Sequence, residues 1–184
     1  MDRVEVRGQV ITFAKSGEDD ADSGHRGGLV HWSEPPPGAV LREVLAYWRR
    51  QCDSRAMPSR QDLDPLDIPN LLGGIMLADV MQNPLDFRYR LVGTGIAERF
   101  AHDDTGVRFS LLAAHERSSA MFAFVSAIAR GKAPGWADIP YFGTNPSVLG
   151  MRIVGMPLGE KDGLVNMLLF GVEFEALAAT PITG

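Results

Sequence analysis

Cysteine is nearly missing from this sequence. Cys52 stands alone among 184 residues, so no intrachain disulfide can form and no Cys-rich zinc site can be built, which favours a reducing compartment. Positive charge is also short: 18 basic residues face 23 acidic ones, for a formal net charge of −5. That balance offers no electrostatic footprint for a phosphate backbone or an anionic lipid surface, and nucleic acid is not expected as a partner. Long apolar runs are missing too. The longest, near Leu164 to Val172, is far short of a membrane span, and the opening MDRVEVRGQVITF is interrupted by charges and lacks the apolar core of a signal peptide. A cytoplasmic protein without membrane insertion is expected. Hydrolytic and nucleotide-binding signatures are absent as well: no G-x-S-x-G, no H-E-x-x-H and no P-loop. GTGIAE lacks the third glycine of a dinucleotide fingerprint, and its glycines suit a tight turn. DDTG follows RFAH where an aspartic-protease lobe would have an apolar strand, and it reads as a turn.

What is present begins to organise after Gly38. Residues 15–38 are rich in Gly, Ser, Asp and Pro with no sustained apolar period, as in an exposed or disordered linker. The short VEVRGQVITF ahead of them alternates valines and could add an edge strand. Three regions are therefore expected: an N-terminal extension and linker at 1–38, a folded domain at 39–176, and a tail at 177–184.

Within the domain, Leu41, Val44, Leu45 and Trp48 fall at i, i+3, i+4 and i+7 among arginines, one apolar stripe on an amphipathic helix. GIMLADVMQ then runs through the turn-prone NPLD into FRYRLVG, where Phe87, Tyr89 and Leu91 alternate with Arg88 and Arg90. This is a hairpin with one wet face. Thr94 is placed to cap a short helix carrying Ile96 and Phe100, and Met121, Phe124, Val125 and Ile128 mark a longer helix with Gly131 as its C-terminal cap. GWADIPYF, SVLGMRIVGMPL and GLVNMLLFGVEF supply three more strands. The sum is an α+β domain: a five-stranded antiparallel sheet with helices on one face and an N-terminal amphipathic helix.

The stretch MPSRQDLDPLDIPNLLGG reads as a corner. Asp64 can cap a turn that has Pro65 at its first position, Asp67 can repeat the device before Pro69, and Arg60 can hold Asp62 or freed carbonyls. Cation binding by Asp62, Asp64 and Asp67 is the weaker reading, since the glycine turn and terminal glutamate of a calcium loop are missing.

LREVLAYWRRQCDSRAMPSRQDLDPLDIPNLLGGIMLADV followed by FRYRLVGTGIAERFAHDDTG resembles the bacterial PAS-like domain family that carries a Pro, Ser, Arg and Asp-Pro pattern. The resemblance runs from about Leu41 to Phe174 and is most specific in PSRQDLDPLDIPNLL and YRLVGTGI. At FAHDDTG the sequence departs from it, with Ala101 and His102 where a glycine is expected. The resemblance implies a PAS-like sheet and a non-catalytic sensory or interaction module.

A ligand site in such a fold would lie on the concave face. Tyr89, Phe100, Phe124, Met151 and Phe170 are expected to line it, with Ile153 and Leu168, around a volume that could be a pocket for a small apolar or aromatic ligand or simply core. No cofactor is named by the sequence. A haem would need His102 or His115 inside the pocket, whereas a histidine in a loop is ordinarily solvated. Cys52 sits in the leading helix, and no Asn-Cys-Arg-Phe-Leu-Gln stretch exists for a flavin adduct. An enzyme using the same cavity would need an acid or base pair, for which Asp79 with Tyr89 is the one candidate. A ligand-free structural adaptor is the other alternative.

No effector pattern fits outside the domain, so output is expected through contact with a signalling protein partner. The last strand is apolar on both faces, which requires a covered outer face. Leu41, Leu45 and Trp48 with Val165 and Met167 are expected to cover it, either by the leading helix folding back on its own sheet or, as the favoured arrangement, in a homodimer.

Overall fold

The computed structural model describes residues 2–6, 9–13, 30–32, 35–115, 119–160 and 163–176. Most of the expected linker and the tail at 177–184 lie outside the described residues. β1 (Asp2–Val6) and β2 (Gln9–Phe13) pair with each other as an antiparallel hairpin instead of adding an edge to the larger sheet.

The main sheet contains β3 (Ile75–Met81), β4 (Asp86–Val92), β5 (Gly135–Pro140), β6 (Val148–Gly159) and β7 (Val165–Ala176). Their spatial order is β4-β3-β7-β6-β5, with every pairing antiparallel. The last strand thus inserts beside the first, which makes β7 a central strand and accounts for its apolar residues on both faces.

Side-chain alternation divides that sheet cleanly. Phe170 lies opposite Met76 and Gly155 on the inner face, while Gly171 lies opposite Ile75 and Val154 on the outer one. α3 (Ala120–Gly131) packs on the inner face, where a Cβ on Gly155 would come within 3.0 Å of Phe124 and Ile128. Ser119, not a residue of the helix itself, caps α3 by accepting from the Phe122 N–H. At its other end Lys132 takes the left-handed cap position expected of Gly131. A Cβ on Gly131 would sit 2.8 Å from the ring of the exposed Trp32.

α1 (Ala39–Gln51) covers the outer face. The Trp48 indole N–H donates to the Pro157 carbonyl at 2.9 Å, Val44 sits against Gly171, and Glu173 accepts the Val40 N–H at the start of the helix. Leu41, Leu45 and Trp48 are buried by this docking, as is Val165, and Met167 is half-buried against the same core. The helix folds back on its own sheet, one of the two arrangements expected for this stripe. No helix among the described residues is long and apolar enough to cross a membrane.

Two further expectations change on inspection. A bulge shifts the register between Leu77/Leu91 and Ala78/Tyr89, so Leu91 turns to the outer face, 41% exposed, and Val92 takes the inward place. Thr94 is the first residue of α2 (Thr94–Phe100) and makes no capping bond; Gly93 precedes it, because a Cβ there would lie 2.5 Å from the Leu72 carbonyl oxygen.

At the corner, Asp64 accepts the Leu66 N–H at 2.9 Å as its sequence predicts, whereas Ile68, not Asp67, precedes the turn at Pro69–Gly74. Arg60 donates to the Leu63 carbonyl, and Asp62 is held by Arg55 and by Ser59. Both edges of the sheet are covered. His31 pairs with Trp136 of β5, its ring stacked on the indole at 4.0 Å, so part of the expected linker is docked. Residues 106–108 bond to Tyr89 and Arg88 of β4.

Candidate functional site

The segment that covers β4 also builds the site. Asp86, buried at the start of β4, accepts the Phe87 N–H, the Ser110 N–H and the Ser110 hydroxyl, anchoring residues 109–115 beside the inner face. Gly106 donates to the Tyr89 carbonyl and the Tyr89 N–H donates to Val107. These bonds carry the chain to His115, whose Nε2 lies 2.6 Å from the Tyr89 hydroxyl. Both side chains are buried. Phe109 stacks at a tilt on Tyr89 and meets His115 edge-on, and Phe142 closes the far side of the imidazole at 4.7 Å.

This pair borders a cavity of about 20 Å³, room for one water molecule. Of the five residues expected to line a ligand site, Tyr89, Phe100 and Met151 border this cavity. Phe124 and Phe170 do not: their rings lie 6.4 Å apart in the packed core under α3, against Gly155. His102 and Asp104 form the rim, with His102 Nε2 3.2 Å from Asp104 Oδ2. Met76, Met121, Val92 and Ile96 supply apolar wall.

His102 is exposed, as a loop histidine should be, but His115 is not. Burial holds its imidazole down at about 4, with the neighbouring His102 adding to the effect, so it is neutral at pH 7. The Tyr89 hydroxyl is pushed up by burial and, secondarily, by Asp104, and remains protonated. His115 Nδ1 is buried and has no hydrogen-bond partner among the described residues. The one sequence signal for this histidine was its place after the apolar Leu111-Leu112-Ala113-Ala114, which also reads as an ordinary loop.

Asp79 and Tyr89 do not form an acid–base pair. Tyr89 is opposite Ala78 and points inward, while Asp79 is opposite Arg88 and bonds its guanidinium at 2.7 Å on the outer face. A porphyrin does not fit a cavity this small, and His115 Nε2 is already engaged by Tyr89. Among the described residues no group of three or more His, Cys, Asp or Glu is placed to hold a metal ion. An open groove of about 310 Å³ adjoins this cavity through Met151; of its charged residues, Arg152 bonds Asp138, and Glu173 holds the start of α1.

α2 ends with Ala101 at φ 61°, the left-handed conformation for which glycine is the usual choice, and this is the position where glycine was expected. Phe100 is thereby turned against Tyr141, Phe142 and Phe174, with His102 continuing toward the rim.

No curated protein matches the chain. A family model described as a PAS domain matches residues 38–172, from the residue before α1 into β7 and including every residue around the cavity. With the five-stranded antiparallel sheet and its inner helices, that match over well over half of the sequence places the chain in the PAS domain family.

Proposed function

We propose that this PAS domain is a non-catalytic sensory module that admits a small ligand beside Tyr89 and His115 and reports occupancy through contact with a protein partner. The observation that carries this reading is the buried tyrosine–histidine pair, with hydrogen-bonding capacity left over, inside an otherwise apolar and aromatic wall. A core selected for filling alone has no use for such a pair, because each buried polar atom without a partner is costly. The small volume is compatible with admission of a ligand because Met76, Met121 and Met151 line it, and unbranched thioether side chains repack readily. Ile96 and Phe100 would carry the change into α2, which packs on the turn at Pro69–Gly74 ahead of β3.

Mass spectrometry of protein isolated from its native host tests the reading. A co-purified small molecule is expected, and it should raise the thermal midpoint of stripped protein, since a ligand stabilises only the state that binds it. Met151→Trp, which fills the cavity, should abolish that rise. An undiminished rise in the variant moves the site elsewhere, and chemical turnover of the molecule favours an enzyme.

A further inference from the structure

Hydrogen-bond accounting around His115 indicates what the cavity would recognise. The Tyr89 hydroxyl has one hydrogen to donate, and His115 Nε2, 2.6 Å away, is its partner among the described residues. If Nε2 carried the imidazole proton, the phenol hydrogen would be left buried and unused. With the hydroxyl donating, Nε2 accepts and the proton of the neutral ring resides on Nδ1. Nδ1–H is then a buried donor without an acceptor, in a residue that lines the cavity.

We infer that the ligand of this cavity is a small uncharged hydrogen-bond acceptor, with a carbonyl oxygen as the matching group, held by His115 Nδ1–H in the tautomer that Tyr89 selects. The inference rests on the sensory reading above. A free carboxylate suits the site less well: the walls are apolar, Asp104 is already at the rim, and its partner His102 is taken up by it. A ligand offering only a donor leaves Nδ1–H unpaired. Specificity of this kind is strong because a site built around a buried donor penalises an analogue that lacks the acceptor.

Three five-membered rings of similar size separate the possibilities: cyclopentanone accepts, pyrrole donates, and methylenecyclopentane does neither. Titrations followed by NMR of protein labelled with ¹⁵N in histidine and ¹³C in methionine methyls report on Nδ1 and on Met121 and Met151 together. Free protein is expected to carry its proton on Nδ1. Cyclopentanone should move the Nδ1–H resonance and bind roughly fivefold to tenfold tighter than the other two rings, the worth of one hydrogen bond. In Tyr89→Phe, which removes the hydroxyl that selects the tautomer, that preference should disappear.

A proton found on Nε2, or full selectivity retained by Tyr89→Phe, overturns the inference. Methionine methyls that respond equally to all three rings overturn the acceptor class while leaving the cavity a ligand site. If no ring moves either the methyls or Nδ1–H, the donor serves an internal water only, and both the acceptor class and the sensory cavity fall.

Discussion

The inner layer of this sheet has two halves made of similar residues and packed differently. Under α3, Phe124 and Phe170 are completely buried, and even the missing Cβ of Gly155 has no room against Phe124 and Ile128. Toward α2, Tyr89, Phe100 and Met151 border a cavity of about 20 Å³. The difference lies in polar atoms. Around Phe124 the layer consists of apolar side chains that interdigitate, although α3 also buries the Ser126 hydroxyl without a partner among the described residues. Around Tyr89 two polar groups must stay paired at 2.6 Å, which restricts how the surrounding aromatics can close over them. Alternation of apolar residues along a strand therefore identifies a buried layer, while a polar pair within it identifies where that layer is left incomplete.

The largest expected effect probes the packed half. Phe124→Ala should cost about 3–5 kcal/mol in denaturant unfolding, the ordinary loss for a fully buried aromatic, and leave ligand selectivity at the Tyr89 end intact. A loss below about 1 kcal/mol would mean that this half is as loosely filled as the other, because truncation there would cost little more than at an exposed site.

Next comes the polar half, through pH. Burial and the nearby His102 lower the His115 value from 6.5 to about 4, so between those values the unfolded chain binds a proton that the folded chain refuses. Stability is consequently highest above pH 6.5 and falls as the pH drops toward 4, by about 3 kcal/mol in all. Thermal midpoints measured across this range should show the slope, and His115→Leu should flatten it. A wild-type profile that is flat from pH 7 to pH 4 would place His115 in water. Further acidification should expose a separate loss at Asp62, whose carboxyl is held at about 2 by Arg55 and Ser59: its contribution is present above the usual carboxylate range and disappears as the pH falls through 2.

Smaller effects come from outside both halves and serve as controls on the comparison. Ala101→Gly relieves a left-handed alanine beside the rim and should stabilise the fold by about 1 kcal/mol, read as a higher thermal midpoint. A lower midpoint would show that the alanine side chain is needed where it is. Asp64→Ala removes the cap on Leu66 at the exposed corner and should cost about 0.5–1 kcal/mol with no change in ligand binding. Altered binding with an unchanged midpoint would give the corner a functional role.

Much of this architecture was legible because its signals are local. The α1 stripe of Leu41, Val44, Leu45 and Trp48 is a 3.6-residue period and is buried as a unit. Phe87 and Tyr89 alternate with Arg88 and point inward as a two-residue period requires. That period failed two residues later, at Leu91, where the bulge opposite Leu77 and Ala78 inverts the faces. His115 was misread for a different reason: its burial depends on Asp86 and Ser110 anchoring the loop and on Phe109 and Phe142 closing over the ring, and of these Asp86 and Phe142 lie far along the chain. The docking of His31 on Trp136 was hidden in the same way, within a segment whose composition suggests only a linker.

The sequence by itself determined the element order, the membership of the inner layer near Tyr89, Phe100 and Met151, and the requirement that both faces of β7 be covered, since hydrophobic periodicity is imposed one element at a time. Tertiary structure alone decided that α1 covers its own sheet, that Phe124 and Phe170 fill core instead of bordering the cavity, and that His115 is buried against Tyr89 with Nδ1 left without a partner among the described residues. Those outcomes depend on distances between residues remote in the chain, where a bulge of one residue or a single charge-free pocket reverses what the local pattern implies.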